Sequence, residues 1–208
     1  AIGRALAINP RLAMAWGNRG NCLARLKRHH EAVNCLNEAL TLEPHSAVTW
    51  LNKGNISLSD GNVDEAGLCF QKCLDLNPRL AGGWFRLGLC HQASNRPAEA
   101  VQCFEMAITL RPAEINAWSA KAACLSVLGR NDEALASVRR AIEMNSADAG
   151  LWFTKAGIEG ELNKVEDASE SLKRFLSLAT VADVDAIAYA TRRLNSLAPI
   201  RSAIQGVR

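Results

Sequence analysis

Residues 81–114 have the sequence AGGWFRLGLCHQASNRPAEAVQCFEMAITLRPAE. Trp84 is the landmark of this stretch, because the five tryptophans of the chain follow one another at steps of 34 residues. They stand at Trp16, Trp50, Trp84, Trp118 and Trp152. A constant step of this length is typical of a protein built from one repeated supersecondary unit. The stretch 81–114 is therefore one copy of the unit that decides the fold.

Other landmarks keep the same step. Four prolines recur at Pro10, Pro44, Pro78 and Pro112, and five alanines recur at Ala32, Ala66, Ala100, Ala134 and Ala168. A small residue comes four after each tryptophan, at Gly20, Gly54, Gly88, Ala122 and Ala156. A large or branched apolar residue comes four after each alanine, at Leu36, Phe70, Phe104, Val138 and Leu172. Chance does not produce five aligned copies of this pattern.

Within each unit, apolar residues recur at steps of three and four, which is the period of an amphipathic helix. A break follows in the middle of the unit, at Lys27, Gly61, Asn95, Gly129 and Asn163. Four of these five are Gly or Asn, the residues that tolerate the left-handed conformation at a helix end. Each unit is therefore predicted to be a helical hairpin. We expect helices near 13–26 and 30–42, 47–60 and 63–76, 81–94 and 97–110, 115–128 and 131–144, and 149–162 and 165–178.

The spacing of Trp, Gly, Ala, Phe and Pro resembles the tetratricopeptide repeat over about residues 1–180. The resemblance implies an all-α fold, a right-handed α-solenoid of stacked antiparallel helix hairpins with a C-terminal capping helix. It implies one solenoid over 1–198, made of the end of a truncated repeat at 1–10, repeats at about 13–46, 47–80, 81–114, 115–148 and 149–182, and a cap at 183–198, followed by a tail at 199–208. In four repeats the usual Leu three residues after the Trp is basic, at Arg19, Lys53, Lys121 and Lys155. We interpret these four as stems that pack between helices while their charges reach solvent.

Both ends depart from the period. Ala5, Leu6 and Ile8 occupy the places of Ala39, Leu40 and Leu42, so residues 1–8 are expected to be the tail of an earlier second helix, and the chain to be a fragment of something longer. Beyond residue 183 the tryptophan is replaced by Ala186. A helical face nevertheless continues and predicts a capping helix, with an apolar side formed by Val184, Ile187, Thr191, Leu194 and Leu197.

Composition excludes several classes of function. The chain is 49% hydrophobic and 22% charged, which is typical of a globular protein. A net charge of +3 without a long basic run argues against a nucleic-acid partner. No run approaches the roughly 18 apolar residues of a membrane span, so membrane insertion is not expected. Seven cysteines and no visible secretory signal favour a reduced setting, and we expect a cytoplasmic location.

The cysteines invite a metal hypothesis that the repeat argues against. They fall at only three repeat positions, which other units fill with Ile, Ser or Ala. They are therefore interpreted as packing residues, and neither a metal nor a cofactor is expected. No phosphate-binding loop, nucleophile elbow or kinase motif is present in the sequence, so no catalytic residue is assigned and the chain is not expected to be an enzyme.

In this family the first helices line a concave groove, and the resemblance places candidate ligand-binding residues there. They are Asn18, Asn21, Leu51, Asn52, Asn55, Phe85, Arg86, Leu89 and Phe153. Amides donate and accept hydrogen bonds at once, which suits the main chain of an extended peptide. The apolar members have the character of anchor pockets. Gly17 and Gly82 replace the two lysines with which some family members clamp a carboxylate.

The sequence thus favours a protein–protein interaction scaffold that binds an extended or helical peptide segment in its concave groove, within a multi-protein assembly. The alternative is a regulatory or substrate-recruiting region of a larger enzyme, a kinase or glycosyltransferase, whose catalytic domain lies outside this chain. RNA binding by a helical repeat is a third reading. Such repeats read bases with polar and basic side chains, whereas this groove is nearly neutral.

Overall fold

The computed structural model describes the backbone of residues 6–205 and the side chains of residues 6–180 and 182–196. Throughout that part of the chain the regular structure is helical, and no strand occurs. Ten of the helices form five antiparallel hairpins, and their bounds agree with the predicted ones to within one residue. The prediction of an all-α fold of stacked helix pairs is confirmed.

The chain divides into two compact units, residues 1–112 and residues 113–208. The first unit contains three hairpins, with helices α1 Ala13–Arg25, α2 His29–Leu42, α3 Ala47–Ser59, α4 Val63–Leu76, α5 Ala81–Ala93 and α6 Pro97–Leu110. Each second helix packs against the first helix of the next hairpin, so α2 contacts α3 and α4 contacts α5. Residues 6–8 are also helical, as expected for the end of an earlier helix, while Ala5 lies outside the described residues.

The second unit contains two hairpins and a final helix. Its elements are α7 Ile115–Val127, α8 Asn131–Met144, α9 Ala149–Glu161, α10 Val165–Leu178, a 3-10 turn Val181–Asp183 and α11 Val184–Gln205. Within this unit α8 packs against α9, and α10 packs against α11. A single solenoid over residues 1–198 stays a prediction.

The five hairpin turns share one backbone feature. Each has a residue with positive φ at the predicted break, namely Lys27 (61°), Gly61 (79°), Asn95 (55°), Gly129 (72°) and Asn163 (56°). This conformation reverses the chain after the first helix, and Gly adopts it without steric cost. Lys27 also adopts this conformation, although a residue with a Cβ atom is sterically disfavoured in it.

Small residues let the two helices of a hairpin approach closely. A Cβ atom added to Gly54 would lie 2.6 Å from the ring of Phe70, and one added to Gly88 would lie 2.6 Å from the ring of Phe104. Both rings are fully buried. The glycine and the aromatic residue are therefore complementary parts of one packing contact, repeated in successive hairpins.

The tryptophans are partly buried and perform a second task. An indole N–H group donates to the backbone carbonyl six residues earlier, over 2.8 Å from Trp16 to Pro10, 3.0 Å from Trp50 to Pro44, 2.8 Å from Trp84 to Pro78 and 2.9 Å from Trp152 to Ser146. The basic residue three positions on lies over the indole ring at 5.4–5.9 Å in four repeats, at Arg19, Lys53, Lys121 and Lys155. These cations are thus bound to the aromatic face.

The final helix differs from its prediction in length and in orientation. It runs to Gln205, past the predicted end at 198, and so includes Pro199. Its packed side contains Ala186, Ile187, Ala190 and Leu194, while Val184 and Thr191 are exposed and Leu197 lies outside the described side chains. The fully buried Ala190 explains the rotation, since its small side chain permits close approach to the last hairpin.

Candidate functional site

Two depressions lie between α1 and α3 on the face that the repeat assigns to ligand binding. The helix-start depression has a volume of about 250 Å³, and its lining includes Met14, Gly17, Asn18, Asn21, Glu43, Val48 and Asn52. The helix-end depression has a volume of about 320 Å³, and its lining includes Asn21, Arg25, Lys27, His29, Asn52, Asn55 and Ser59. The structure therefore brings all four candidate asparagines together.

Asn21 and Asn52 line both depressions and so form the boundary between them. Asn18 belongs to the helix-start depression, and Asn55 to the helix-end depression. The side-chain oxygen of Asn55 is buried and has no hydrogen-bond partner among the described residues. Buried polar atoms are nearly always hydrogen-bonded, and a rotation of the Asn55 side chain would be needed to bring this acceptor to a donor from a ligand.

The two depressions differ in charge. Three basic side chains line the helix-end depression, Arg25, Lys27 and His29, and no acid does. His29 is already engaged, since its Nδ1 contacts the carboxylate of Asp60. The helix-start depression has one acid, Glu43, and two exposed apolar side chains, Met14 and Val48. A ligand that crosses the asparagines therefore passes from an apolar environment into a positive one.

The candidates on α5 combine exposure with packing. Arg86 is exposed, and its guanidinium lies 6.0 Å from the ring centre of Phe85. Phe85 is partly buried, with its ring centre 5.8 Å from that of the buried Phe104, and Leu89 is partly buried too. Leu51, on α3, packs against the core around Phe70. Phe85 therefore supports the core as well as facing outward, and we expect its truncation to lower stability.

Phe153 belongs to the second unit, and its surroundings differ from those of the other candidates. Its ring centre lies 5.0 Å from that of Phe175 and 5.8 Å from that of Tyr189 on α11. The last helix therefore lies beside the face that the repeat assigns to ligand binding. The sequence predicted a capping helix at this end of the chain, but it did not identify Tyr189, which stands beyond the last copy of the 34-residue pattern.

A buried polar cluster in the last hairpin was also missed. Lys155 donates to the hydroxyl of Ser171 over 2.7 Å, and that hydroxyl donates to Glu159 over 2.6 Å. Glu159 and Ser171 are both fully buried. The available signal was the i, i+4 spacing of Lys155 and Glu159, together with an acid at the position where other repeats have Leu23 and Leu125.

Six of the seven cysteines are buried, as expected of packing residues, whereas Cys22 is exposed. Cys90 stands at the same repeat position as Cys22, and it lies beside Gly67 of the preceding hairpin. Ahead of Cys22, the described residues begin at Leu6. Burial raises the pKa of the Cys90 and Cys103 thiols to about 11. Among the described residues, no group of three or more His, Cys, Asp or Glu is placed to hold a metal ion. In the same part of the chain, no helix has the length and apolar character needed to cross a bilayer.

Three consecutive segments match the tetratricopeptide repeat, residues 13–46, 47–80 and 81–113. Residues 13–113 therefore consist of tetratricopeptide repeats. Two further copies of the pattern follow in α7–α10, with the same tryptophans, turns and hairpins. The tetratricopeptide repeats of residues 13–113 support a role as a protein–protein interaction scaffold.

Solved structures of the family have the same fold. YrrB, a tetratricopeptide repeat protein with an unusual peptide-binding site, matches with a TM-score of 0.81 at 21% identity, over 92% of this chain and 98% of YrrB. MamA from Desulfovibrio magneticus RS-1, from its residue 41 onward, matches with a TM-score of 0.76 at 16% identity, over 80% and 94% of the two chains. A thermophilic repeat protein of Thermus thermophilus gives 0.63 at 18% identity, over 88% and 98%. At these identities the likeness shows the fold alone. No curated protein matches the sequence.

Proposed function

We propose that this protein is an interaction scaffold that binds an extended peptide segment of a partner protein across α1, α3 and α5. The observation that carries the proposal is the placement of Asn21 and Asn52 on the boundary between two adjacent depressions. An extended chain presents backbone N–H and C=O groups along its length, and amides can bind both. A peptide lying over these asparagines would place side chains in the depressions on either side.

The unpaired oxygen of Asn55 favours an extended ligand over a helical one. A helix uses its own backbone groups internally, except at its ends, and has few N–H groups to offer a buried acceptor. An extended segment has free N–H groups to donate to Asn55. YrrB has a peptide-binding site on the same fold, which agrees with a peptide ligand for this chain.

The chemistry of the two depressions defines the expected ligand. Met14 and Val48 would contact an apolar side chain at one end of the bound segment. Arg25 and Lys27 would attract an acidic side chain at the other end. On α5, Phe85 and Leu89 would add an apolar anchor, and the exposed Arg86 a second contact for an acid.

A displayed library of random linear peptides, selected against the folded protein, tests the proposal. The selected peptides should combine apolar and acidic residues, and their affinity should fall about fivefold or more with Asn21→Ala and with Asn52→Ala, since a hydrogen bond contributes about 1 kcal/mol. Asn37→Ala, on the exposed surface of α2, is the matched control and should leave affinity unchanged.

N-methylation of single backbone amides in a selected peptide separates the extended from the helical mode. In the extended mode, one or two methylated positions should abolish binding, and Asn55→Ala should reduce the difference between methylated and unmethylated peptide. If a selected peptide binds Asn21→Ala and Asn52→Ala as tightly as it binds the unaltered protein, the proposed groove is contradicted.

A further inference from the structure

A cavity of about 220 Å³ lies between the last hairpin and α11. Phe153, Leu172 and Tyr189 form its apolar walls, and Gly157 and Gly160 form its floor. The cavity lies entirely within the second unit, so it is separate from the two depressions described above. A cavity of about 150 Å³ accommodates benzene, so this space suits a side chain of the size of leucine or phenylalanine.

The two glycines of the floor have no packing reason to be glycine. A Cβ atom added to Gly157 would meet nothing within 4 Å, and one added to Gly160 would meet only the end of Arg193, at 3.7 Å. Gly54 is different, because its added Cβ would collide with Phe70 at 2.6 Å. Glycine weakens a helix interior relative to alanine. Gly157 and Gly160 therefore lower the stability of α9 and leave the cavity open, and the packing of the hairpin does not explain why they are glycines.

Two opposite charges stand at the mouth of the cavity. Glu161 and Arg193 both line it and are both exposed. The structure shows no ion pair between them, and neither side chain has a hydrogen-bond partner elsewhere in the described chain. They are therefore free to bind a ligand that carries both a carboxylate and an ammonium group.

We propose that this cavity binds a free α-amino acid with an apolar side chain. The side chain enters between Phe153, Leu172 and Tyr189. The α-carboxylate pairs with Arg193, and the α-ammonium pairs with Glu161. The C-terminal residue of a polypeptide has the same carboxylate but no ammonium, so it would leave Glu161 without its opposite charge. The pair of mouth charges thus favours the free amino acid over a chain end.

Titration of the isotope-labelled protein with L-leucine, followed by the backbone amide resonances of Gly157 and Gly160, tests the proposal. We expect saturable shifts of these two resonances with a Kd in the millimolar range, as befits a ligand of so few atoms. N-acetyl-L-leucine lacks the ammonium and L-leucinamide lacks the carboxylate, and each should bind at least fivefold more weakly. Equal binding of N-acetyl-L-leucine would overturn the proposal in favour of a chain end.

Variants separate the cavity from the mouth. Gly157→Leu fills the cavity and should abolish the shifts, while Gly157→Ala keeps the helix intact and should weaken binding. Arg193→Gln should reduce the affinity for L-leucine to that for L-leucinamide. Gly82→Leu, on α5 of the first unit, also places a side chain where nothing lies within 4 Å and should leave binding unchanged. Undiminished binding by folded Gly157→Leu, or no saturation by about 50 mM L-leucine, would refute the site.

Discussion

The Nζ atom of Lys155 lies 2.8 Å from Oε1 of Glu159, and that carboxylate is completely buried. The other carboxylate oxygen accepts a hydrogen bond from Ser171 over 2.6 Å. Lys155 itself is only partly buried and lies over the ring of Trp152 at 5.4 Å. Lys155 therefore pairs with the buried Glu159 and also makes the contact with tryptophan that basic residues make in other repeats.

Removal of either partner of this pair should have unequal effects. Lys155→Met leaves a buried carboxylate without its cation and should lower the free energy of unfolding by about 3–5 kcal/mol. Glu159→Leu installs the residue found at the equivalent positions Leu23 and Leu125, and frees a cation that can reach solvent. Its effect should be within about 1 kcal/mol of zero. Urea unfolding followed by circular dichroism compares the two, and equal losses would show that the carboxylate does not depend on Lys155.

The turn at Lys27 provides a stabilising substitution. A non-glycine residue at φ 61° is sterically disfavoured by about 1–2 kcal/mol, and part of this is offset by the greater freedom of glycine in the unfolded chain. Lys27→Gly should therefore raise stability by about 0.5–1 kcal/mol. Gly61→Lys, the reverse change at the equivalent turn, should lower it by a similar amount. A loss of stability in Lys27→Gly would mean that the lysine side chain makes a contribution larger than the strain.

Much of this fold follows from the sequence, because every unit repeats the same local choices. The Asn and Gly turns, the Gly54–Phe70 contact and the helix bounds are all consequences of residues a few positions apart. The four asparagines between α1 and α3 were also predicted, since a shared repeat position implies a shared face.

The remaining features depend on neighbours that no repeat supplies. Tyr189, Ala190 and Arg193 follow the last copy of the 34-residue pattern. No equivalent residues in the earlier repeats could therefore predict their contacts with the last hairpin. The burial of Glu159 was missed because an acid is expected to face solvent, and its partner Ser171 lies on the facing helix, where only the tertiary structure brings the two together. Phe85 was assigned to the open groove by its position, yet the distance to Phe104 is set by tertiary packing.

The buried thiols should make stability fall in mildly alkaline solution. Burial raises the pKa of Cys90 and Cys103 from 9.0 to about 11, so the folded state keeps protons that the unfolded state loses. Their contribution is complete below about pH 9 and is lost as the pH rises through 11. Each shift corresponds to about 2–3 kcal/mol. Urea midpoints measured from pH 7 to 11 should decline over this interval, and Cys90→Ala/Cys103→Ala should flatten the decline. If the urea midpoint of this variant declines with pH as steeply as that of the unaltered protein, the two thiols are not the cause of the decline.

Two glycines of similar helical setting should respond to alanine in opposite directions. Gly157→Ala meets no atom within 4 Å and gains helix propensity, so stability should rise by about 1 kcal/mol. Gly54→Ala forces a methyl group against the ring of Phe70 and should cost about 1–3 kcal/mol. Thermal unfolding of the two variants measures both effects. A destabilised Gly157→Ala would mean that the cavity beside α9 is smaller than described.

Phe85→Ala tests the role of α5 in ligand binding while accounting for its structural role. The ring packs on Phe104, so truncation should lower stability by about 1–2 kcal/mol without unfolding the protein. A peptide anchored on this ring should lose more than about 1 kcal/mol of binding free energy. Isothermal titration of a library-selected peptide, under conditions where circular dichroism shows the variant to be folded, separates the two effects.

Leu68→Ala is the control for the binding measurement, because Leu68 is 71% exposed on α4 and belongs to none of the candidate residues. It should change neither stability nor affinity appreciably. Asn52→Ala and Arg86→Ala complete the set, since one removes an amide between the depressions and the other removes the cation beside Phe85. If all three groove variants bind the peptide as tightly as the unaltered protein, the first helices are not the binding surface. The second helices, α2, α4 and α6, would then be the surface to test.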